Sequence, residues 1–490
     1  MEAQKMRETE LIFIPFPAIG HLVPAVESAK LLIKRDHRLS ITVLIMKMPM
    51  DKGVAKYTES LQRDATDGMK VVELPLDDSI FKLVWESHAS FLSAFINSQK
   101  AHVRDIVADR VTRSDSTRLA GIVIDFLNTA MIDVANEFGV PTYVFYVSSA
   151  AFLGLTFYLQ SLSDDHGQDI TEYQDTEASL SVPCFLNPVP AKFLPSVGLD
   201  KEGFASTILS IARRLRQTKG IILNTVLELE THAVMTLADG KTPPVYSVGP
   251  VLNIPSGEGT TDNQNSDNPV ITWLDDQPPS SVVFLCFGSL GSFDADQVKE
   301  IAHALEHSGH RFLWSLRRPP PQEKRELSGE YDNPEEVLPE GFLERTAGIG
   351  KVVGWAPQVA VLSHSAVGGF VSHCGWNSIL ESLWYGVPMA AWPMFGDQQI
   401  LAFEMVKELE LAVEIKLDFK KDFYTMNSAG IAVTAKEIES GIRCLMDGGS
   451  EIRKKVKEMK EKTRMALVEG GSSYTSVGRL IDDIMNNSPE

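Results

Sequence analysis

The chain has 490 residues, 44% apolar and 23% charged, which is the profile of a globular protein with enough chain for two hydrophobic cores. A formal net charge of −19 argues against nucleic acid and anionic membrane surfaces as general partners, and it means that an anionic ligand needs a local site. The four scattered cysteines, Cys184, Cys286, Cys374 and Cys444, make no CxxC or zinc spacing and read as reduced thiols of a cytoplasmic protein.

The first ten residues are polar and charged and lack the apolar core of a secretory signal. Leu11 to Phe16 reads as a strand, followed by Pro17, Gly20 and His21. A helix is expected from Ala25 to Lys34, with Pro24 in its first turn. Further strands are expected at Ile41 to Met46, Val71 to Leu74, Ile122 to Asp125, Thr142 to Tyr146, Ile221 to Leu223 and Tyr246 to Val248. Their continuous apolar runs suit a parallel sheet covered on both faces. Gly139 to Ser163 carries no charge, but Pro141, Ser148, Ser149 and Thr156 interrupt it, so it reads as strand, loop and buried helix rather than a membrane span.

Asn253 to Asn268 has linker composition, with Pro255, Gly257, Gly259 and four asparagines. The expected organisation is therefore an N-terminal domain over 1–252, a linker over 253–269, and a C-terminal domain over 270–468. A last helix over 469–490 is expected to pack back on the first domain. In the second domain, Val282 to Phe287 is a strand that turns at Gly288-Ser289. Asp294 then caps a helix carrying Val298, Ile301, Ala302 and Leu305, and Gly309 ends it. Asp294-Ala295-Asp296 imitates a metal-binding DxD, but its place at a helix start makes it a cap, and no metal is expected. Phe312 to Leu316 and Lys351 to Val353 are strands separated by a polar, proline-rich loop, Pro319 to Pro339. Ala412 to Ile415 is a short strand. Thr434 with Glu437 forms a capping box for a helix through Met446, and two helices, Glu451 to Val468 and Tyr474 to Met485, close the chain.

The densest chemistry lies in the 44 residues from Trp355 to Gln398, WAPQVAVLSHSAVGGFVSHCGWNSILESLWYGVPMAAWPMFGDQ. A strand, Val367 to Val371, leads through a Gly-containing turn into a helix from Trp376 to Tyr385, the layout of a nucleotide site beyond the carboxyl end of a parallel strand. No Lys or Arg occurs in the stretch, so a bound anion would rest on helix-start amides, hydroxyls and His373.

This stretch resembles the signature box of plant secondary-product glycosyltransferases, members of the UDP-dependent glycosyltransferase superfamily. The match includes WAPQ, HCGWNS, ES, GVP and the closing Asp-Gln, and it extends to the N-terminal PFPAIGHLVP, the IVIDF strand end and the CFGS turn. The resemblance implies the GT-B fold, in which two Rossmann-like parallel-sheet domains face a central cleft. It implies UDP-glucose as donor substrate, no cofactor and no metal. On the family pattern, Trp355 stacks on uracil and the Ala356 main chain meets the uracil edge. Gln358 and Glu381 bind the ribose. His373, Gly375, Asn377, Ser378 and Ser289 face the diphosphate, and Trp376 stands at the position associated with glucose use. Asp397 and Gln398 bind sugar hydroxyls, and Asp397 stands where most members have Glu. His364 reads as structural.

The same resemblance makes His21 the general base and Asp125 its orienting carboxylate. Both follow strands of one sheet at its carboxyl edge. Phe16, Ile19, Gly20, Phe126, Tyr146 and Phe395 are expected around an apolar acceptor, a phenolic, flavonoid or terpenoid. The expected reaction is inverting transfer to a hydroxyl by a monomer without a membrane span. A carboxylate acceptor and a nucleotide-sugar epimerase of the same architecture remain open. A dinucleotide dehydrogenase is disfavoured, because no GxGxxG follows the first strand.

Overall fold

Among the described residues, fifteen short strands and the helices between them build the fold. The computed structural model describes residues 9–48, 52–64, 66–76, 88–112, 117–174, 176–200, 204–254, 268–320, 328–421 and 433–486. Most of the expected linker and residues 321–327 of the proline-rich loop lie outside these residues. The strands are β1 (Thr9–Ile14), β2 (Leu39–Ile45), β3 (Met69–Glu73), β4 (Arg118–Asp125), β5 (Thr142–Tyr146), β6 (Ser179–Leu180), β7 (Val189–Pro190), β8 (Gly220–Leu223), β9 (Val245–Ser247), β10 (Val282–Cys286), β11 (Arg311–Ser315), β12 (Gly350–Val353), β13 (Val367–Ser372), β14 (Met389–Ala391) and β15 (Ala412–Glu414).

The contacts divide the chain into two compact units. The first comprises Met1–Thr171, Asp200–Asn253 and Met465–Glu490, and the second comprises Glu172–Leu199 and Ile254–Arg464. The first unit holds a seven-stranded sheet in the order β3-β2-β1-β4-β5-β8-β9, parallel throughout. The second holds a six-stranded parallel sheet in the order β12-β11-β10-β13-β14-β15. Each order runs outward from its first strand in one direction and then restarts on that strand's other side. This is the doubly wound pattern, and it leaves a crevice at the carboxyl edge where the direction reverses. The reversal falls between β1 and β4 in the first unit and between β10 and β13 in the second.

The strands form where continuous apolar runs can be covered on both faces. In β1 every residue is buried, and so are all those of β5, β8 and β10. The uncharged stretch after Gly139 becomes β5 and a helix, Ala150–Asp164, capped by Ser149, whose hydroxyl accepts from the Phe152 amide. Among the described residues no helix is long and apolar enough to cross a membrane.

Two expectations need correction. The helix after β1 starts at Ile19, not Ala25, which puts Pro24 inside it. Ala18 is extended and its carbonyl already accepts from the His21 and Leu22 amides, so the helix is under way before the proline. His21 therefore sits in a first helical turn. The second correction concerns Glu172–Leu199, which clusters with the second unit although it lies within the sequence of the first. The Phe185 and Phe193 rings pack on Phe403, at 6.0 and 5.4 Å between centroids, and the Leu186 and Asn187 amides donate to the Glu408 carboxylate.

The last helix, Ser472–Asn486, presents Val477, Leu480, Ile481 and Ile484 on one face, and all four belong to the core cluster of the first unit. The spacing i, i+3, i+4, i+7 is that of an amphipathic helix. Arg118 donates to the Met485 carbonyl, and Tyr246 donates to the Asp483 carboxylate. Leu480→Ala is expected to destabilise the first unit by about 2–5 kcal/mol, the usual range for emptying a buried leucine site. Urea denaturation followed by a probe in that unit measures this, and an unchanged midpoint would mean that the helix contributes nothing to that core.

Candidate active site

At the reversal in the first unit, β1 and β4 run side by side, with Ile14 opposite Ile124. His21 follows one strand and Asp125 ends the other. The His21 Nδ1 lies 2.7 Å from Asp125 Oδ2. Asp125 is 3% exposed, and its second oxygen accepts from the Leu127 amide at 2.9 Å, which starts a short 3-10 turn, Phe126–Asn128. Asn128 on that turn donates to the Ile14 carbonyl at 2.9 Å, so the ends of the two strands are laced together. A carboxylate can only accept here, so His21 donates from Nδ1. A neutral imidazole in that tautomer carries its lone pair on Nε2, the atom able to take a proton.

Aromatic rings surround the imidazole. Phe16 meets it edge-on at 5.4 Å and Phe126 stacks at 5.8 Å. Tyr146 packs behind Phe126 at 4.9 Å and Phe152 continues the row at 6.3 Å. Ile19 is half-buried and Gly20 exposed beside them, whereas Tyr146 is buried in the wall. Phe395, also expected around the acceptor, belongs to the buried core cluster of the second unit.

At the reversal in the second unit, Cys286 of β10 lies opposite Ser372 of β13. The two strands lead into Gly288-Ser289 and His373-Cys374-Gly375. Gly288 has φ +75° and Cys374 has φ +62°, so both loops turn through left-handed backbone. A Cβ on Gly288 or on Gly375 would lie 2.7 Å from the His373 Nε2. The two glycines therefore make room for the His373 ring as well as for any ligand backbone contact. Burial pushes the His373 imidazole down to about 4, against the opposing pull of a hydrogen bond with the Cys286 main chain. The ring is neutral near pH 7 and offers no charge to an anion. The positive end of this site is the start of the Trp376–Tyr385 helix, with Gly375 as its N-cap and Trp376 buried in its first turn.

Further along that helix, Ser378 and Glu381 meet Gln358, whose Nε2 donates to Ser378 Oγ at 2.9 Å and to Glu381 Oε2 at 2.7 Å. Ser378 is thus joined to the Gln358–Glu381 pair. Burial pushes the Glu381 carboxyl up to about 7, although the Gln358 bond favours its charged form. Asn377 stands one turn before Glu381 on the same helix. Trp355 follows β12 and is 57% exposed, so it is no core tryptophan, while its neighbour Ala356 is buried. Asp397 precedes the Gln398–Phe403 helix. The Gln398 side-chain Oε1 accepts from the Met394 and Phe395 amides at 3.0 and 3.1 Å, which leaves its side-chain Nε2 as the group able to address a ligand hydroxyl. Ser289 is exposed on its loop.

The remaining expectations resolve structurally. Asp294 caps its helix by accepting from the Gln297 amide at 2.9 Å, and His364 sits between Asp275 and the Ala366 amide. Sequence reasoning missed Arg317, which lies just past the end of β11 with its guanidinium 5.3 Å from the centroid of the Trp355 ring. It also donates to the Ser328 carbonyl at 2.6 Å. No local pattern points to this residue, because its partners are 11 and more positions away.

The first unit holds a buried carboxylate–histidine pair at its reversal, and the second holds a helix start at its own and an exposed indole after β12. Comparison with known proteins decides the family. A relative from Panax ginseng named UDP-glycosyltransferase 101 is 55% identical over 483 residues, covering 98% of this chain and all of that protein. The chain belongs to the UDP-glycosyltransferase family. The family model described as "UDP-glucoronosyl and UDP-glucosyl transferase" matches residues 224–439. A Fragaria ananassa relative named "Putative UDP-glucose flavonoid 3-O-glucosyltransferase 3" is 53% identical over 484 residues, 98% of this chain and all of that one. The crystal structure of Medicago truncatula UGT71G1 complexed with UDP-glucose is 41% identical, with a TM-score of 0.84 over 98% of this chain and 99% of that one. The fold of this UDP-glycosyltransferase is accordingly GT-B.

Glu381 supplies a pH test in the ligand-free protein. Its folded value, about 7, stands above the ordinary 4.5, so the native state holds the proton more tightly than the unfolded chain. Its contribution to stability is fully present below the ordinary value and is lost as pH rises towards 7. Glu381→Gln, which is always neutral, should therefore melt progressively higher relative to the parent between those two pH values and keep the gain above them. Melting curves at several pH values measure this, and a difference that does not vary with pH would refute it.

Proposed function

We propose that this UDP-glycosyltransferase moves glucose from UDP-glucose to a hydroxyl of a hydrophobic plant metabolite, a phenolic, flavonoid or terpenoid, and inverts the anomeric carbon to give a β-glucoside. The observation that carries the reading is the His21–Asp125 contact at 2.7 Å, with the carboxylate buried and the imidazole partly exposed among aromatic rings. In this reading the acceptor hydroxyl gives its proton to His21 Nε2 while its oxygen attacks the anomeric carbon. The bond from that carbon to the UDP oxygen breaks, and UDP leaves with the electron pair. Asp125 fixes the ring tautomer and steadies the imidazolium that forms. No protein nucleophile is needed.

The donor half of the reading rests on the second unit. Trp355 supplies a face for uracil, Gln358 and Glu381 accept and donate around the ribose, and the helix start at Trp376, with Asn377, Ser378 and Ser289, meets the diphosphate. Asp397 and Gln398 address the sugar. The helix-start amides are a charge-stabilising device that works without a metal ion. The choice of glucose is supported by the relative named for UDP-glucose and by the similar fold solved with UDP-glucose bound. The row Phe16, Phe126 and Phe152 supports an apolar, ring-bearing acceptor.

His21→Ala should lower turnover of an alcohol acceptor by about 10²–10⁴-fold, the usual contribution of a positioned base, and leave UDP affinity unchanged. Asp125→Asn should also slow turnover, since an amide does not stabilise an imidazolium. Assay with UDP-glucose and a panel of phenolics and terpenoids, with added hexose detected by mass, checks both. Normal turnover by the His21 variant would sink the assignment. Dialysis against EDTA should leave the rate unchanged; a loss restored by a divalent cation would overturn the metal-free reading.

A further inference from the structure

Lys421 is a buried cation that neither the sequence pattern nor the proposed mechanism uses. It is 3% exposed. Its Nζ donates to the Ser292 carbonyl and lies 5.7 Å from the centroid of the Phe293 ring. Its main-chain amide donates to the Met394 carbonyl at 2.7 Å. One residue therefore grips two loops. The first follows β10 and contains Ser289 and Ser292. The second follows β14 and runs through Met394 and Phe395 to Asp397 and Gln398.

Both grips continue into the site. The Met394 and Phe395 amides donate to the Gln398 side-chain Oε1, and the Gln399 side chain donates to the Phe419 main-chain carbonyl at 3.1 Å, two residues before Lys421. On the other side, the Ser292 and Ser328 hydroxyls lie 3.3 Å apart, and Ser328 donates to the Leu290 carbonyl. Burying an ammonium group is costly, and an apolar side chain would serve the surrounding core better. Burial pushes the Lys421 amine down to about 8, a direct sign of that cost. What an apolar residue lacks is a long stem ending in a donor, able to span from the main chain at Met394 to the main chain at Ser292.

We propose that Lys421 is a positioning residue for the sugar half of the donor, tying the loop after β10 to the loop after β14 so that Asp397 and Gln398 meet the hexose hydroxyls in register. The proposal rests on the reading of Asp397 and Gln398 as sugar contacts. Trp355, Gln358 and Glu381 lie on other segments, and of the proposed diphosphate contacts only Ser289 shares a loop that Lys421 grips, so loss of Lys421 should fall more on the sugar than on UDP. A fault in core packing alone would not separate the two.

The test is Lys421→Met in the full chain, with its melting temperature recorded, UDP affinity measured by titration, and UDP-glucose kinetics measured at saturating acceptor. The expected result is kcat/KM for UDP-glucose lower by about tenfold, the scale on which small misplacements slow a reaction, with a smaller loss in UDP affinity through Ser289. Equal losses for UDP and UDP-glucose, or no loss in either, would overturn the proposal. If the methionine variant does not fold, Lys421→Gln, which keeps a neutral donor, is read by the same comparison. Gln398→Ala separates the two layers of the argument. If Gln398→Ala leaves UDP-glucose kinetics intact, the sugar-contact reading fails. If it lowers kcat/KM for UDP-glucose and Lys421→Met does not, the positioning role alone fails.

Discussion

Both candidate sites depend on one constraint of open parallel sheets covered on both faces: the strand order reverses, and at the reversal two neighbouring strands send their following loops to opposite faces. The chain meets this constraint twice. Between β1 and β4 the diverging loops deliver His21 and Asp125 to within a hydrogen bond, although they are 104 residues apart. Between β10 and β13 they deliver Gly288 and His373, whose atoms are in close packing contact. The chemistry is placed by register, Ile14 beside Ile124 and Cys286 beside Ser372, before any side chain is considered.

The two crevices are then furnished by different physics. In the first, a buried carboxylate is given two donors, His21 and the Leu127 amide, and the strand ends around it are tied by Asn128. In the second, the loops close around a neutral imidazole and leave the field to a helix start. A positive φ at Cys374 is strained for a residue with a side chain, and it lies between His373 and the N-cap Gly375. That left-handed turn is what lets β13 pass into the Trp376–Tyr385 helix with so short a connection.

Much of this was legible in the sequence because it is local. Continuous apolar runs mark strands, and β5 and the Trp376–Tyr385 helix have the expected limits. Asp294, Thr434 and Gly309 announce helix ends through residues three or four positions away. The start of the Ile19–Arg35 helix was misplaced because Pro24 is a strong local signal for a first turn, whereas the true start is set by the Ala18 carbonyl. The His21–Asp125 pair and the donor residues were named through family resemblance, since nothing in their spacing shows that they meet. Glu172–Leu199, Arg317 and Lys421 were illegible for the same reason: Phe403, Trp355 and Ser292 are remote in sequence, and aromatic or main-chain partners leave no periodic trace.

The contrast between the Asp125 and Glu381 carboxylates bears on how the donor is held. Asp125 receives two donors within its own unit, which fix its carboxylate, and in the proposed role it orients His21. Glu381 receives Gln358 Nε2, which also serves Ser378, and its carboxyl stands at about 7. An ionised carboxylate short of donors is costly in a desolvated setting, and a vicinal diol supplies the missing hydrogen bonds. In the proposed role the ribose hydroxyls would do this, so part of the cost of burying Glu381 is recovered only when donor is bound. Proton release on binding near neutral pH is expected, because donors to the Glu381 oxygens favour the carboxylate and pull down a value that burial holds raised in the free protein.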